Sequence, residues 1–305
     1  MHRLRTLFVL SCLAFVFAWG FFRPPQEKTP AVAPTNRFEV FGNDTSNCTP
    51  TSPHFCPTEF DHLNAVTPNG KFLCSSNDSK KALINGAGNF QCADYENLSD
   101  GFGSITGVQK ADLIRQAVVN GFPSGTPQWL FINEISPSLW QDQNYRWWVI
   151  GMAQRLHNTY NHEVIIAAPF QTINAHPIDW QSLAAVAHIG IECYLSGLEI
   201  RTNGMSVSWC QSQYQASKNS YVAQGIAANR LFLIENFGHG PATNGWGRAG
   251  ETITNWKTEI GIRSTAAHNV GFQGYCSYQW GGNGMGASDA DMNAAIDTYC
   301  AKTLP

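Results

Sequence analysis

Charge is scarce in this chain. Only 13% of its 305 residues are Asp, Glu, Lys or Arg, about half the usual share for a soluble domain. Nor is the charge one-sided: 19 Lys and Arg stand against 22 Asp and Glu, a net charge of −3. Without a basic stripe, a nucleic-acid binder driven by bulk charge is excluded, and so is a charged coiled coil. Several signatures are also missing. No Gly-x-Gly-x-x-Gly follows an early strand pattern, which argues against a dinucleotide-binding open sheet. The Gly-rich run 281–286 lacks the Lys-Ser/Thr of a phosphate cradle, and no Gly-x-Ser-x-Gly elbow occurs. No two cysteines have Cys-x-x-Cys spacing and His162-Glu163 lacks a second His, so neither zinc nor thioredoxin-type chemistry is indicated.

Apolar residues are plentiful. Hydrophobic residues make up 43% and aromatics 12%, enough to build a core and exclude a disordered chain. The length suggests two domains, but an α/β barrel of about 250 residues is a single one.

The first 22 residues read as a secretory signal peptide. His2, Arg3 and Arg5 precede an apolar run from Leu7 to Phe22, shorter than the roughly 20 residues of a spanning helix. Ala18-Trp19-Gly20 is a poor cleavage site, which leaves a signal anchor as the alternative to full secretion. Residues 23–36 are Pro-rich and read as an extended linker. Residues 37–305 form the remaining domain.

Nine cysteines occur, one of them (Cys12) inside the apolar run. The other eight are even in number, which in an exported chain implies disulfides. Nearest-neighbour pairing gives Cys48–Cys56, Cys74–Cys92, Cys193–Cys210 and Cys276–Cys300, one of about 105 connectivities. Asn43, Asn47, Asn77 and Asn97 fit the glycan acceptor pattern.

Short apolar runs alternate with helical patterns. Runs at 129–132, 164–168, 189–191, 231–234 and 271–275 are apolar on both parities, as parallel strands buried on both faces are. Tyr145, Trp148, Val149, Met152, Ala153, Leu156 and Tyr160 trace one face of a helix. Another helix spans Val108–Asn120. Asp179 is expected to cap a helix from Trp180, and Ser288 the last helix. Trp147, Trp148, Trp180 and Trp209 are expected to pack on helices. Residues 38–41, 71–74 and 102–105 supply three earlier strands. Eight strands with crossovers imply a closed (β/α)8 barrel with disulfide-stapled loops. A doubly wound open sheet is the alternative.

Carboxylates stand where such a barrel does its chemistry. Trp129-Leu-Phe-Ile-Asn133-Glu134 and Leu231-Phe-Leu-Ile-Glu235-Asn236 each run apolar and then present an acid. The carboxyl ends of barrel strands form the active-site face. Ile189-Gly-Ile-Glu192-Cys-Tyr194 offers a third acid. Glu163 begins a strand and belongs to the opposite, stability face. Trp140, Trp246 and Trp280 follow strands and are expected to rim the same mouth, where flat aromatics stack on sugar rings. His239, four residues past Glu235, touches substrate or caps a turn.

This layout resembles clan A of the TIM-barrel glycoside hydrolases, the 4/7 superfamily of cellulases and mannanases. The resemblance implies Glu134, preceded by Asn133, as acid/base and Glu235 as nucleophile. It implies that Asn133 binds a sugar hydroxyl, Tyr194 touches the nucleophile and Trp280 floors the sugar site. The chain departs from that family: Ile135 follows Glu134 where Pro is usual, and no Arg ends the second strand. An Asp-x-x-Asp-x-Asp-x-Glu run is absent, which argues against a chitinase-type barrel.

Breaking an acetal needs a proton for the leaving oxygen and negative charge for the oxocarbenium ion, and two carboxyls with separated pKa values supply both. Glu134 is expected protonated and Glu235 ionised, cleaving β-linked glycan with retention. No metal or organic cofactor is required, and the expected partner is a polysaccharide or oligosaccharide met by a monomer, with no nucleic acid and no membrane. Two readings stay open: a barrel pairing Glu192 with Glu134, and a non-catalytic carbohydrate-binding relative.

Overall fold

The structure, a computed structural model, describes residues 38–42, 71–75, 92–95, 98–170, 176–237, 252–278 and 287–303. The signal and linker segments, Cys48 and Cys56, the glycan acceptor asparagines, and Trp246, Trp280 and His239 lie outside them.

Eight strands are described: β1 (Phe38–Gly42), β2 (Lys71–Ser75), β3 (Cys92–Tyr95), β4 (Trp129–Ile132), β5 (Glu163–Ala168), β6 (His188–Glu192), β7 (Leu231–Asn236) and β8 (Gly274–Tyr278). Each pairs in parallel with the next, and β1 pairs with β8, so the sheet curls into a ring. Seven α-helices lie among the described residues: α1 (Gly107–Gly121), α2 (Gln143–Asn158), α3 (Pro177–Ala184), α4 (Gly197–Thr202), α5 (Val207–Val222), α6 (Ile253–Val270) and α7 (Asp289–Thr303). They supply the crossovers that parallel strands need after β3 to β7, and α7 follows β8.

Two apolar layers follow from the period of two along a strand. Cys92, Trp129, Phe131, Ile165, Ala167, Phe232, Ile234 and Cys276 fill the barrel interior. Leu130, Ile132, Val164, Ile166, Ile189, Ile191, Leu231 and Leu233 face outward against the helices. Strand β7 places bulky side chains inside, and its neighbours give way. A Cβ on Gly190 of β6 would stand 2.6 Å from Ile234, and one on Gly274 of β8 would collide with the Phe232 ring.

The helical faces match their sequence patterns. Tyr145, Trp148, Val149, Met152, Ala153 and Leu156 of α2 are all buried. Thr106 and Gln109 form a capping box at the start of α1. Ser288 Oγ accepts from the backbone N–H of Asp291 at the start of α7.

Several expectations need correction. The third strand is 92–95, not 102–105: Gly101 and Gly103 take φ of 89° and 83°, turn geometry that breaks the short apolar run. The last strand begins at Gly274, because Gly271 ends α6 in the left-handed region with φ 70°. Helix α3 begins at Pro177 with His176 at its cap. Asp179 sits in the first turn and pairs with Arg146 Nε at 2.6 Å. Trp147 is 57% exposed and is not a packing residue.

The cysteine pairing changes too. Cys193 and Cys210 are buried, unbonded thiols. Cys276 and Cys300 belong to different layers, the barrel interior and the helix layer, so the wall of the barrel separates them. Cys92 is disulfide-bonded, and Cys74 stands opposite it in the β2–β3 register.

Candidate active site at the barrel mouth

Strand parity decides which acids reach the mouth. On β6 the outward residues are Ile189 and Ile191, so His188, Gly190 and Glu192 point inward. Glu192 closes the strand and is only partly buried. Two residues later Tyr194 packs against the interior cluster and donates its hydroxyl to Glu192 Oε1 at 2.8 Å. Burial and the negative charge of Glu134 push the Glu192 carboxyl up to about 7, and the Tyr194 hydrogen bond pulls the other way.

Glu134 is exposed just past the end of β4, after a cis peptide bond from Asn133. Its segment is anchored on both sides. Leu98 N–H donates to Asn133 O, and Ile135 N–H donates to Ala167 O, each at 2.9 Å. Asn133 is half-buried and shares the inward parity of Trp129 and Phe131. The field of Glu134 is also felt by Tyr145. Both acids stand at or just past strand ends on the carboxyl side of the barrel, where Glu134 acts electrostatically on Glu192 and the Tyr194 hydroxyl rests on Glu192.

Glu235 is elsewhere. Phe232 and Ile234 point into the barrel, so the next residue points out, into the helix layer. There Glu235 is fully buried and accepts from the Tyr214 hydroxyl at 2.5 Å. Burial raises its carboxyl to about 7, against the lowering effects of Tyr214 and Arg263. The charge of Glu134 is among the influences that raise Glu192. The expected pairing of Glu134 with Glu235 is therefore corrected, and Tyr194 touches Glu192 instead. The inward residue at the end of β7 is Asn236, buried at the mouth. Once 232 and 234 face in, 236 does too and 235 cannot.

Trp140 is corrected as well. It is fully buried and packs against Trp180, their ring centroids 4.2 Å apart at a tilt of 33°. Its carbonyl accepts from Arg146 Nη1 at 2.8 Å. It lines the helix layer, not the rim. No group of three or more His, Cys, Asp or Glu suited to a metal occurs among the described residues.

Glu163 stands at the other end of the barrel, as its place at the start of β5 implies. It faces His188 Nε2 at 3.8 Å, and His188 is stacked on Trp129.

No family model and no curated protein matches the chain. Among solved structures it is similar to a family GH18 chitinase from Cycas revoluta in complex with allosamidin. The TM-score is 0.55 at 12% identity, covering 86% of this chain and 99% of that one. The two share a barrel fold. A mutant flavocytochrome b2 with benzoylformate overlaps far less well, with a TM-score of 0.38 at 9% identity over 90% of this chain and 68% of that one.

Proposed function

We propose that the chain is a glycoside hydrolase whose working acids are Glu192 and Glu134. The observation that carries this reading is the state of Glu192: a half-buried carboxyl at the mouth, raised to about 7 by its surroundings and by Glu134. A carboxyl that holds its proton near neutral pH, with a second carboxyl acting on it, is the arrangement acetal cleavage uses. Glu192 gives its proton to the leaving oxygen as the glycosidic bond breaks, Glu134 stabilises the oxocarbenium ion, and a water attacks that carbon and loses its proton to Glu134, completing the hydrolysis. Tyr194 engages one carboxyl oxygen of Glu192, which leaves the other to meet the glycosidic oxygen. Asn133 and Asn236 offer amides to sugar hydroxyls. The barrel shared with a chitinase holding allosamidin supports carbohydrate as the substrate class. With Glu235 outside the mouth, the double displacement expected for Glu134 and Glu235 has no nucleophile, so proton donation by Glu192 carries the proposal. Export through the N-terminal segment completes the reading: the enzyme meets its glycan outside the cell.

Incubation with a panel of polysaccharides, chitin included, and assay of reducing ends tests it. Release is expected, abolished or cut at least a hundredfold in Glu192→Gln and strongly reduced in Glu134→Gln. Binding without release on every substrate would establish the lectin-like alternative instead.

A further inference from the structure

Behind the mouth lies a buried polar cluster that hydrolysis does not use. Glu235 is its centre. The outward face of β7 is otherwise apolar, with Leu231 and Leu233 before it and Phe237 after it. A buried carboxyl there costs several kcal/mol unless its partners compensate. Those partners come from two helices. Tyr214 on α5 donates its hydroxyl to Glu235 Oε1. Arg263 on α6 bears on the same carboxyl electrostatically and donates Nη1 to the carbonyl of Asn236 at 2.8 Å. Cys193, just past β6, is a neighbour and not a compensating partner: burial and then the Glu235 charge push its thiol up. Glu259 on α6 is occupied by Arg201, whose Nη1 reaches it at 2.8 Å.

Cys193 links this cluster to the mouth. It lies between Glu192 and Tyr194 in sequence, and its N–H donates to Ile234 O at 3.0 Å. Glu192 is level with Ile234 in the β6–β7 register. The end of β6 is therefore clamped to the end of β7 one residue before Glu235, with Glu192 and Tyr194 on its inner side and Cys193 on its outer side.

We infer that Glu235, held by Tyr214, is a positioning residue. It fixes the joined ends of β6 and β7 from behind and so sets the hydrogen bond between Tyr194 and Glu192. The inference rests on the reading that Glu192 is the working acid, but it concerns geometry and is tested without substrate. The readout is the titration of the Glu192 carboxyl, followed by carbon-13 NMR of side-chain-labelled glutamate in the full chain and assigned with Glu192→Gln. Three variants are compared: Tyr214→Phe, Glu235→Leu and Glu235→Gln. Loosening the Tyr194 bond removes a lowering influence, so the Glu192 midpoint is expected to rise by about half to one pH unit in Tyr214→Phe and Glu235→Leu. Glu235→Gln keeps an acceptor for Tyr214 and is expected to keep the wild-type midpoint. Should Glu235→Leu fail to fold, Tyr214→Phe, which loses one oxygen, decides alone. An unmoved midpoint in folded Tyr214→Phe overturns the inference. So does the same rise in Glu235→Gln, which would make charge and not position the cause. A midpoint that responds as expected in a protein that cleaves no glycan would refute the hydrolase reading and leave the positioning role standing.

Discussion

Glu235→Gln is expected to change how stability depends on pH. The carboxyl is fully buried with its folded value raised from 4.5 to about 7. A group that binds its proton more tightly when folded stabilises the fold below 4.5. That contribution is lost as pH rises through 7, because the unfolded chain releases the proton freely while the folded chain must bury a charge. At about 1.4 kcal/mol per pH unit, the gap amounts to about 3 kcal/mol between pH 4 and pH 8.5. Glutamine has the same shape, accepts from Tyr214 and never ionises. The stability of Glu235→Gln relative to wild type should therefore improve by about 3 kcal/mol across that range. Urea unfolding at a series of pH values measures it. Glu192 titrates in both proteins, so it cancels in the difference. In thermal melts the same effect reads as about 6–12 °C for a domain of this size. A difference that stays flat with pH would show that Glu235 is not a buried, proton-holding carboxyl, and would refute its placement in the helix layer.

Other outcomes follow from the same packing. Burial lowers the His188 imidazole below its usual 6.5 and the His188 contact lowers Glu163, so both contribute stability that is lost as pH falls, His188 from about 6.5 downward and Glu163 below about 4.5. Replacing His188 with Phe should flatten the acid limb between pH 7 and 5 in urea titrations. Trp140→Ala is expected to cost about 3–5 kcal/mol, because it empties a packed pair in the core, whereas a rim residue would lose glycan affinity with little change in urea midpoint. Gly190→Val should destabilise by about 1–3 kcal/mol or more by driving a side chain into Ile234 inside the barrel, also read by urea unfolding.

Much of the barrel is legible in the sequence because its strands are buried on both faces. Runs such as Leu231–Ile234 need no alternation to be recognised, and Gly121 marks a helix end, whereas Gly271, read as the start of a strand, proves to be a helix cap. The same property hides the parity. When both faces are apolar, nothing in Leu-Phe-Leu-Ile says which side Glu235 takes, so two acids in matching strand-end contexts differ in fate: Glu134 is exposed past β4 and Glu235 is fully buried. The resolving fact is steric and three-dimensional: Gly190 and Gly274 make room for Ile234 and Phe232 inside, which sends Glu235 out and Asn236 in. Glu192 is recognisable as a strand-end acid, but its rank above Glu235 depends on that inward turn. Trp140 misleads for a related reason. Following a strand places a residue near the rim in sequence, yet the short helical turn at 139–141 and the hold of Arg146 on its carbonyl fold it into the core. Phe102–Ile105 reads as a strand only if Gly101 and Gly103 are ignored.

The central claim is that Glu134 and Glu192 share one mouth while Glu235 does not. The Glu192 carboxyl titration in wild type, Glu134→Gln and Glu235→Gln tests it most directly. The account predicts a midpoint near 7 that falls when the charge of Glu134 is removed and stays put in Glu235→Gln. A midpoint that ignores Glu134→Gln and falls in Glu235→Gln would contradict it.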